Sequence, residues 1–264
     1  MSDLDCSGSA RRGLSVRLAR DAGDLSAVQR LRWQVFFAER GAASVLEAAD
    51  HTDRDDYDPL CDHLLVIDED ACEGGSVVGT YRLLRESVAM RHSGFYSAAE
   101  FDIGRLVTGP ARPAGELLEL GRSCVLPQYR TSATIQLLWR GIASYIADNN
   151  IGLMFGCASF AGTDPAPHAA ALSYLCDHHL AAPEHRPVVR EGMGIPLQQL
   201  APGSYDVRKA MFSLPPLLKG YLRVGAKFGE GAFVDHDFNT IDVCVVMPVE
   251  QISQRYAARF SVAA

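Results

Sequence analysis

Two apolar runs, Leu117–Val125 and Gly152–Phe160, bracket a segment from about Thr131 to Asp148 in which Ile135, Leu138, Trp139, Ile142 and Tyr145 recur at helical spacing. Neither the runs nor the stripe is stable in water, so two strands must enter a sheet that the helix covers. Flanking signals extend the pattern. Ser15–Arg20 alternates like a short strand, and Asp24 reads as the N-cap of a helix carrying Leu25, Val28, Leu31, Val35 and Phe36, with Gly41 as its stop. His63–Ile67 and Val77–Leu84 read as an antiparallel hairpin whose loop, around Gly74 and Gly75, is longer than two residues. A turn of helix is expected near Ala98, a helix over His168–His179, and another from Pro215–Pro216 through Leu222. Gly225–Gly231 reads as a glycine-rich turn and Thr240–Met247 as the last strand. This order predicts an α+β or mixed α/β class, a mixed sheet covered by helices. The 264 residues suit a leader over 1–13 and a single domain over 14–264, with 181–230 as an insertion or lid.

Composition narrows the function. A net charge of -7 excludes a general nucleic-acid binder, which needs surplus Lys and Arg to neutralise phosphate. No apolar run approaches the roughly 18 residues of a membrane span, and the N-terminus lacks a secretory pattern, so a cytoplasmic protein is expected. The seven cysteines form no CxxC pair, and GTDPAPH, VDHDF and the His178–His179 pair offer no persuasive ligand set, so no metal is expected. The three lysines, Lys209, Lys219 and Lys227, fall in one stretch with Arg208 and Arg223. There Lys219, Arg223 and Lys227 interleave with Leu217, Leu218, Tyr221 and Phe228, a pattern suited to an acidic partner protein, an anionic membrane, or a core helix with solvated basic residues.

Several charged residues interrupt apolar patterns. Glu119 breaks the strand LLELGRSCV; a desolvated carboxylate has a raised pKa, as a general base for an amine requires. Arg122 lies three positions on and shares a face with Glu119 only if a bulge intervenes, which Gly121 permits. Glu119 and Arg122 can equally form a buried pair. Arg82, inside VVGTYRLL, either faces solvent or meets a carboxylate, with Glu119 as one partner. Arg32 and Phe36, followed by Asp55 and Asp58, can orient an amino acid by clamping its carboxylate and holding its ammonium, or can be a solvated helix face and an acidic loop. Arg130, Ser132, Ala133 and Thr134 begin a helix, where unpaired amides offer a phosphate site.

The series LRWQVFFAERG, DDYDPLCDHLLV, VVGTYRLL, FYSAAEFD, ELGRSCVLPQYR, GCASFAGTDP and LPPLLKGYLRVGAKFGEGAFVDHDFNTIDV, spanning roughly residues 15–250, resembles the bacterial L-ornithine Nα-acyltransferases, or lyso-ornithine lipid synthases. The resemblance implies a Gcn5-related acyltransferase fold, in which two parallel strands splay apart around a pantetheine arm. It also implies transfer of a 3-hydroxyacyl group from acyl carrier protein to the α-amine of L-ornithine, the first step of ornithine-lipid synthesis. Acyl-homoserine-lactone synthases share the order of motifs, and carrying their pattern over gives Arg32, Phe36, Asp55, Asp58, Arg82, Glu119 and Arg122 as site residues. Glu119 would accept the amine proton without an acyl-enzyme, Arg122 would shape the site beside it, and Arg32, Phe36, Asp55, Asp58 and Arg82 would be substrate contacts, unless Asp55 and Asp58 merely hold Arg82. Val125, Arg130, Ser132, Ala133 and Thr134 would meet the phosphopantetheine. Here RTSATI replaces the usual glycine-containing phosphate loop, which favours a carrier-protein donor over coenzyme A. No tightly bound cofactor is expected; Lys219, Arg223 and Lys227 would contact carrier protein or the inner face of the membrane. A lactone synthase and a non-catalytic membrane-associated binding protein of the same fold are the other readings.

Overall fold

The computed structural model describes residues 13–39, 51–71, 74–250 and 252. Strand β1 (Leu14–Leu18) is followed by α1 (Ala22–Trp33), β2 (Asp62–Asp68), β3 (Ser76–Arg85), α2 (Glu86–Ala89), β4 (Phe101–Asp102), α3 (Gly104–Thr108) and β5 (Glu116–Val125). The second half adds α4 (Ser132–Asp148), β6 (Ile151–Ala161), α5 (Ala169–His179), β7 (Val188–Val189), β8 (Gly194–Ile195), α6 (Val207–Ser213), α7 (Pro216–Val224), β9 (Lys227–Phe228), β10 (Ala232–Asp235) and β11 (Thr240–Pro248). The main sheet runs β1-β2-β3-β5-β6-β11-β10-β8, with β9 also on β11, while β4 and β7 pair separately. The β2–β3 hairpin is antiparallel, as expected. Within 181–230, β7, β8 and β9 each add a short rung to a sheet, and Leu214, Leu218 and Tyr221 are buried.

Alternation along the strands builds a core on each face of the sheet. On β11, Ile241, Val243, Val245 and Met247 join the larger cluster with Leu138 and Ile142 of α4, Leu172 of α5 and Leu218 of α7. Cys244 and Val246 point the other way, to a second cluster with Phe95, Phe101 and Leu106. Two local expectations change. The N-cap of α1 is Asp21, whose carboxylate accepts the Asp24 amide at 2.9 Å, because Asp24 is engaged by Arg17. Phe36 lies not on α1 but in a π-helical turn, Gln34–Glu39, that continues it. The leader residues 1–12 and Gly41 lie outside the described residues.

Among the described strand pairs of the sheets, β5 and β6 alone are parallel, and their ladder ends at Glu119–Phe155 although both strands continue for several residues. Gly156 marks the parting: its φ is 152°, and a Cβ there would lie 2.1 Å from the Leu120 carbonyl oxygen. Opposite, β5 bulges against β3, where Arg82 faces Gly121 and Thr80 faces Cys124, so Arg122 and Ser123 together oppose Tyr81. The bulge anticipated from Gly121 is present, but the left-handed residue is Arg122, with φ 48°. Gly156→Ala is expected to cost roughly 1–3 kcal/mol, read as a lower denaturant midpoint with an unchanged m-value.

Candidate active site

The parting of β5 and β6 opens a cavity of about 480 Å³. Glu119 and Leu120 are consecutive on β5 and Cys157 and Ala158 on β6, so within each pair the side chains point to opposite faces, yet all four line this one cavity. That is possible only where the sheet is split. On the α4 and α7 side the walls are Leu138, Trp139, Pro216 and Leu217; on the other side they are Glu119, Arg122, Glu100, Asp235 and Asp242. Ile135 continues the apolar stripe of α4 yet is 46% exposed, because it lines the cavity rather than the core.

Glu119 is 4% exposed and held from one side by the turn Tyr96–Ala99. Its Oε1 accepts the Ser97 amide at 2.6 Å and the Ser97 hydroxyl; its Oε2 accepts the Tyr96 amide at 2.8 Å. Burial raises its pKa, and the Ser97 and Tyr96 hydrogen bonds only partly offset this. Neither Arg82 nor Arg122 pairs with it, contrary to one sequence reading of each.

Both arginines belong instead to a closed ring of six alternating charges. Arg32 on α1 meets Asp58 at 2.7 Å and Asp53 at 2.8 Å; Asp53 meets Arg122 at 3.2 Å; Arg122 meets Asp55 at 3.1 Å. Asp55 meets Arg82 at 2.7 Å, and Arg82 returns to Asp58 at 3.2 Å. The guanidinium of Arg122 also lies 4.5 Å from the Phe238 ring centroid and 5.0 Å from that of Tyr96. Burial disfavours an ionised Asp58, but the Arg32 hydrogen bonds and charge overcome it and hold its pKa well below the usual carboxylate range; Arg82 does the same for Asp55.

The other sequence candidates spread out. Phe36, Val125, Arg130 and Arg223 line the cavity with Arg82, whereas Arg32, Asp55 and Asp58 stand behind it in the ring. Phe36 packs edge-on against Phe238, with ring centroids 5.9 Å apart. Arg130 is paired with Glu39 at 2.6 Å and donates to the Val125 carbonyl at 3.0 Å. Thr134 is fully buried and its amide is taken by the Thr131 cap at 3.4 Å, so Ser132 and Ala133 keep the first-turn amides. Lys219 donates to the Phe212 carbonyl at 2.6 Å and Arg223 follows one turn later on α7, but Lys227 lies apart, on β9.

Sequence reasoning missed Asp53 and the trio Glu100, Asp235 and Asp242, whose carboxylate oxygens lie within 4.8 Å of one another and could hold a cation. Asp242 interrupts the apolar strand TIDVCVVM just as Glu119 interrupts its own, which was the available signal. Burial, reinforced by Asp242, pushes the Glu100 pKa up to about 8, and burial pushes that of Asp242 to about 6.

The profile of the acetyltransferase (GNAT) domain matches residues 31–140. An L-ornithine N(alpha)-acyltransferase of Agrobacterium fabrum is 46% identical over 94% of this chain and 85% of that protein, and one of Rhizobium meliloti is 45% identical over 94% and 86%. The chain belongs to the L-ornithine N(alpha)-acyltransferase family. The fold it shares extends further, to FeeM, an N-acyl amino acid synthase from uncultured soil microbes, at 9% identity and TM-score 0.53 over 94% of this chain and 99% of that one. It also extends to BjaI, a CoA-dependent acyl-homoserine lactone synthase, at 15% identity and TM-score 0.51 over 96% and 92%. The chain is therefore an acyltransferase with a GNAT-like mixed sheet.

Two outcomes follow from the charges. Asp58→Ala leaves three guanidiniums, Arg32 and Arg82 deeply buried, to two carboxylates and is expected to cost about 3–5 kcal/mol in urea unfolding. For Glu100 the folded pKa lies above the unfolded one of about 4.3, so its contribution is fully present below about pH 4 and lost as pH rises through about 8. Glu100→Gln should therefore gain melting temperature relative to wild type between pH 5 and 8, and parallel melting curves across that range would rule out a buried, uncompensated Glu100.

Proposed function

We propose that this chain transfers a 3-hydroxyacyl group from the phosphopantetheine thioester of acyl carrier protein to the α-amine of L-ornithine, giving lyso-ornithine lipid. The observation that carries the reading is the cavity crossing the split sheet, apolar on the α4 and α7 side and carboxylate-lined on the other, with Glu119 where the strands part. An acyl chain suits the first side and an amino acid the second.

The α-amine must lose a proton to attack the thioester carbonyl. Oε1 of Glu119 is saturated by Ser97, while Oε2 accepts one amide and retains a lone pair for that proton, directly or through one water. Its raised pKa brings it closer to that of the amine. Beyond Glu119 the β5 edge facing β6 carries no ladder, so amides over 121–125 are suited to the oxyanion. Cys157 is disfavoured as a nucleophile: burial and the neighbouring Glu100 push its thiol far up, away from the thiolate. On the donor side Val125 and Arg130, with the amides of Ser132 and Ala133, face the phosphopantetheine; Arg130 would exchange Glu39 for phosphate, and Thr134 supports the turn. The ring orients Arg122 toward the amino acid, with Arg32, Arg82, Asp55 and Asp58 acting through it.

No helix among the described residues is long and apolar enough to cross a membrane. We place the basic stretch Lys219, Arg223 and Lys227 against the acidic carrier protein. Reversing all three to Glu should raise KM for acyl carrier protein, with the effect shrinking at high salt; an unchanged KM returns the stretch to a structural role. Mass spectrometry of lipids from cells expressing the chain should reveal N-(3-hydroxyacyl)ornithine, and Glu119→Gln should lower turnover roughly 10²–10⁴-fold. Near wild-type turnover in a folded variant would remove Glu119 from the mechanism.

A further inference from the structure

The carboxylate side of the cavity holds more acidic groups than proton transfer needs. Glu100 follows the Tyr96–Ala99 turn, Asp235 ends β10 and Asp242 lies within β11, and all three are at least nine-tenths buried. Glu100 accepts the Cys157 thiol at 3.1 Å, and Asp235 accepts the amides of Asp237 and Phe238 at 2.8 and 2.9 Å. Ser159 and Thr240 bear on Asp242 from either side. Among the described residues its Oδ1 has no hydrogen-bond partner of normal geometry, and Asp242 and Thr240 both line the cavity. Among the described residues no arginine, lysine or histidine pairs with any of the three acids. Arg122 acts on Asp242 by charge but is itself paired with Asp53 and Asp55, so burying three acids together stays costly, and the cost falls when a cation binds.

We propose that Glu100, Asp235 and Asp242 seat the side-chain ammonium of the acceptor, selecting an amino acid with a terminal amine over one with an apolar side chain. The inference rests on the ornithine reading above. An ammonium donating three hydrogen bonds of about 2.8 Å sets its acceptors about 4.6 Å apart, in accord with the 4.8 Å within which these oxygens lie. The reacting end is joined to the trio by a short run of contacts. Five single bonds separate the two nitrogens of ornithine, about 6 Å when extended. Glu119 is linked to the trio through the Ser97 hydroxyl, 3.6 Å from the Cys157 sulfur, which is itself hydrogen-bonded to Glu100. Held among carboxylates, the terminal amine stays protonated and non-nucleophilic, so acylation falls on the α-amine beside Glu119.

The test uses the full chain, an acyl carrier protein thioester, and two acceptors of equal chain length, L-ornithine and L-norvaline, which lacks the terminal amine. Wild type should use norvaline with kcat/KM at least tenfold below that for ornithine. Asp242→Asn and Glu100→Gln should each raise KM for ornithine at least tenfold, change kcat far less, and bring the two acceptors toward parity. Wild type that acylates both equally overturns the inference and leaves the ornithine reading intact; no variant is needed for that result. Wild type that acylates neither overturns the ornithine reading itself. Loss of ornithine use in EDTA, restored by Mg²⁺ or Ca²⁺, would assign the trio to a metal ion instead.

Discussion

Parallel strands gain from pairing along their whole length, so a pair that stops short must be held apart. Here β5 and β6 stop at Glu119–Phe155. Gly156 permits a backbone approach to Leu120 that no side chain could share, and the bulge at Arg122 turns β5 away while keeping it on β3. Everything functional follows from this gap. It places residues from both faces of one sheet in a single chamber, and it leaves a carboxylate, Glu119, at the point where the two halves meet.

Much of this fold was readable along the chain because its signals are local. The apolar runs became β2, β5, β6 and β11, and the stripe beginning at Ile135 became α4, with bounds shifted by a residue or two. Where two local signals competed, contact decided: Asp21 and Asp24 are both suited to capping α1, and Arg17 claims Asp24. Glu119 was visible as a charge in an apolar strand. Its partner was not, because Arg82 and Arg122 have the same spacing whether they meet Glu119 or the acidic loop. The trio of Glu100, Asp235 and Asp242 was hidden for a related reason, since its members come from segments far apart in sequence that converge only once β10 and β11 pair and the Tyr96 turn packs against β5.

The acidic loop looks like a solvated segment until the three guanidiniums that enter it are counted. Arg32 and Arg82 would each be expensive to bury alone. Together with Arg122, and against Asp53, Asp55 and Asp58, they form a neutral assembly tying α1, β3 and the β5 bulge to one loop. Their contribution is geometric as much as energetic: the ring fixes the strained backbone at Arg122, whose guanidinium reaches the chamber.

A chain of alternating charges has ends, where a substitution can begin with little disturbance; a closed loop has none. Changing any one of the six residues leaves the loop with an unbalanced, largely buried charge, and a second change elsewhere in the loop repairs only one of the two broken links. The six positions are thus bound to be inherited together or exchanged together, which gives descendants of this protein few intermediate steps by which that corner of the molecule can drift, while the apolar walls of the chamber remain free to be reshaped one residue at a time.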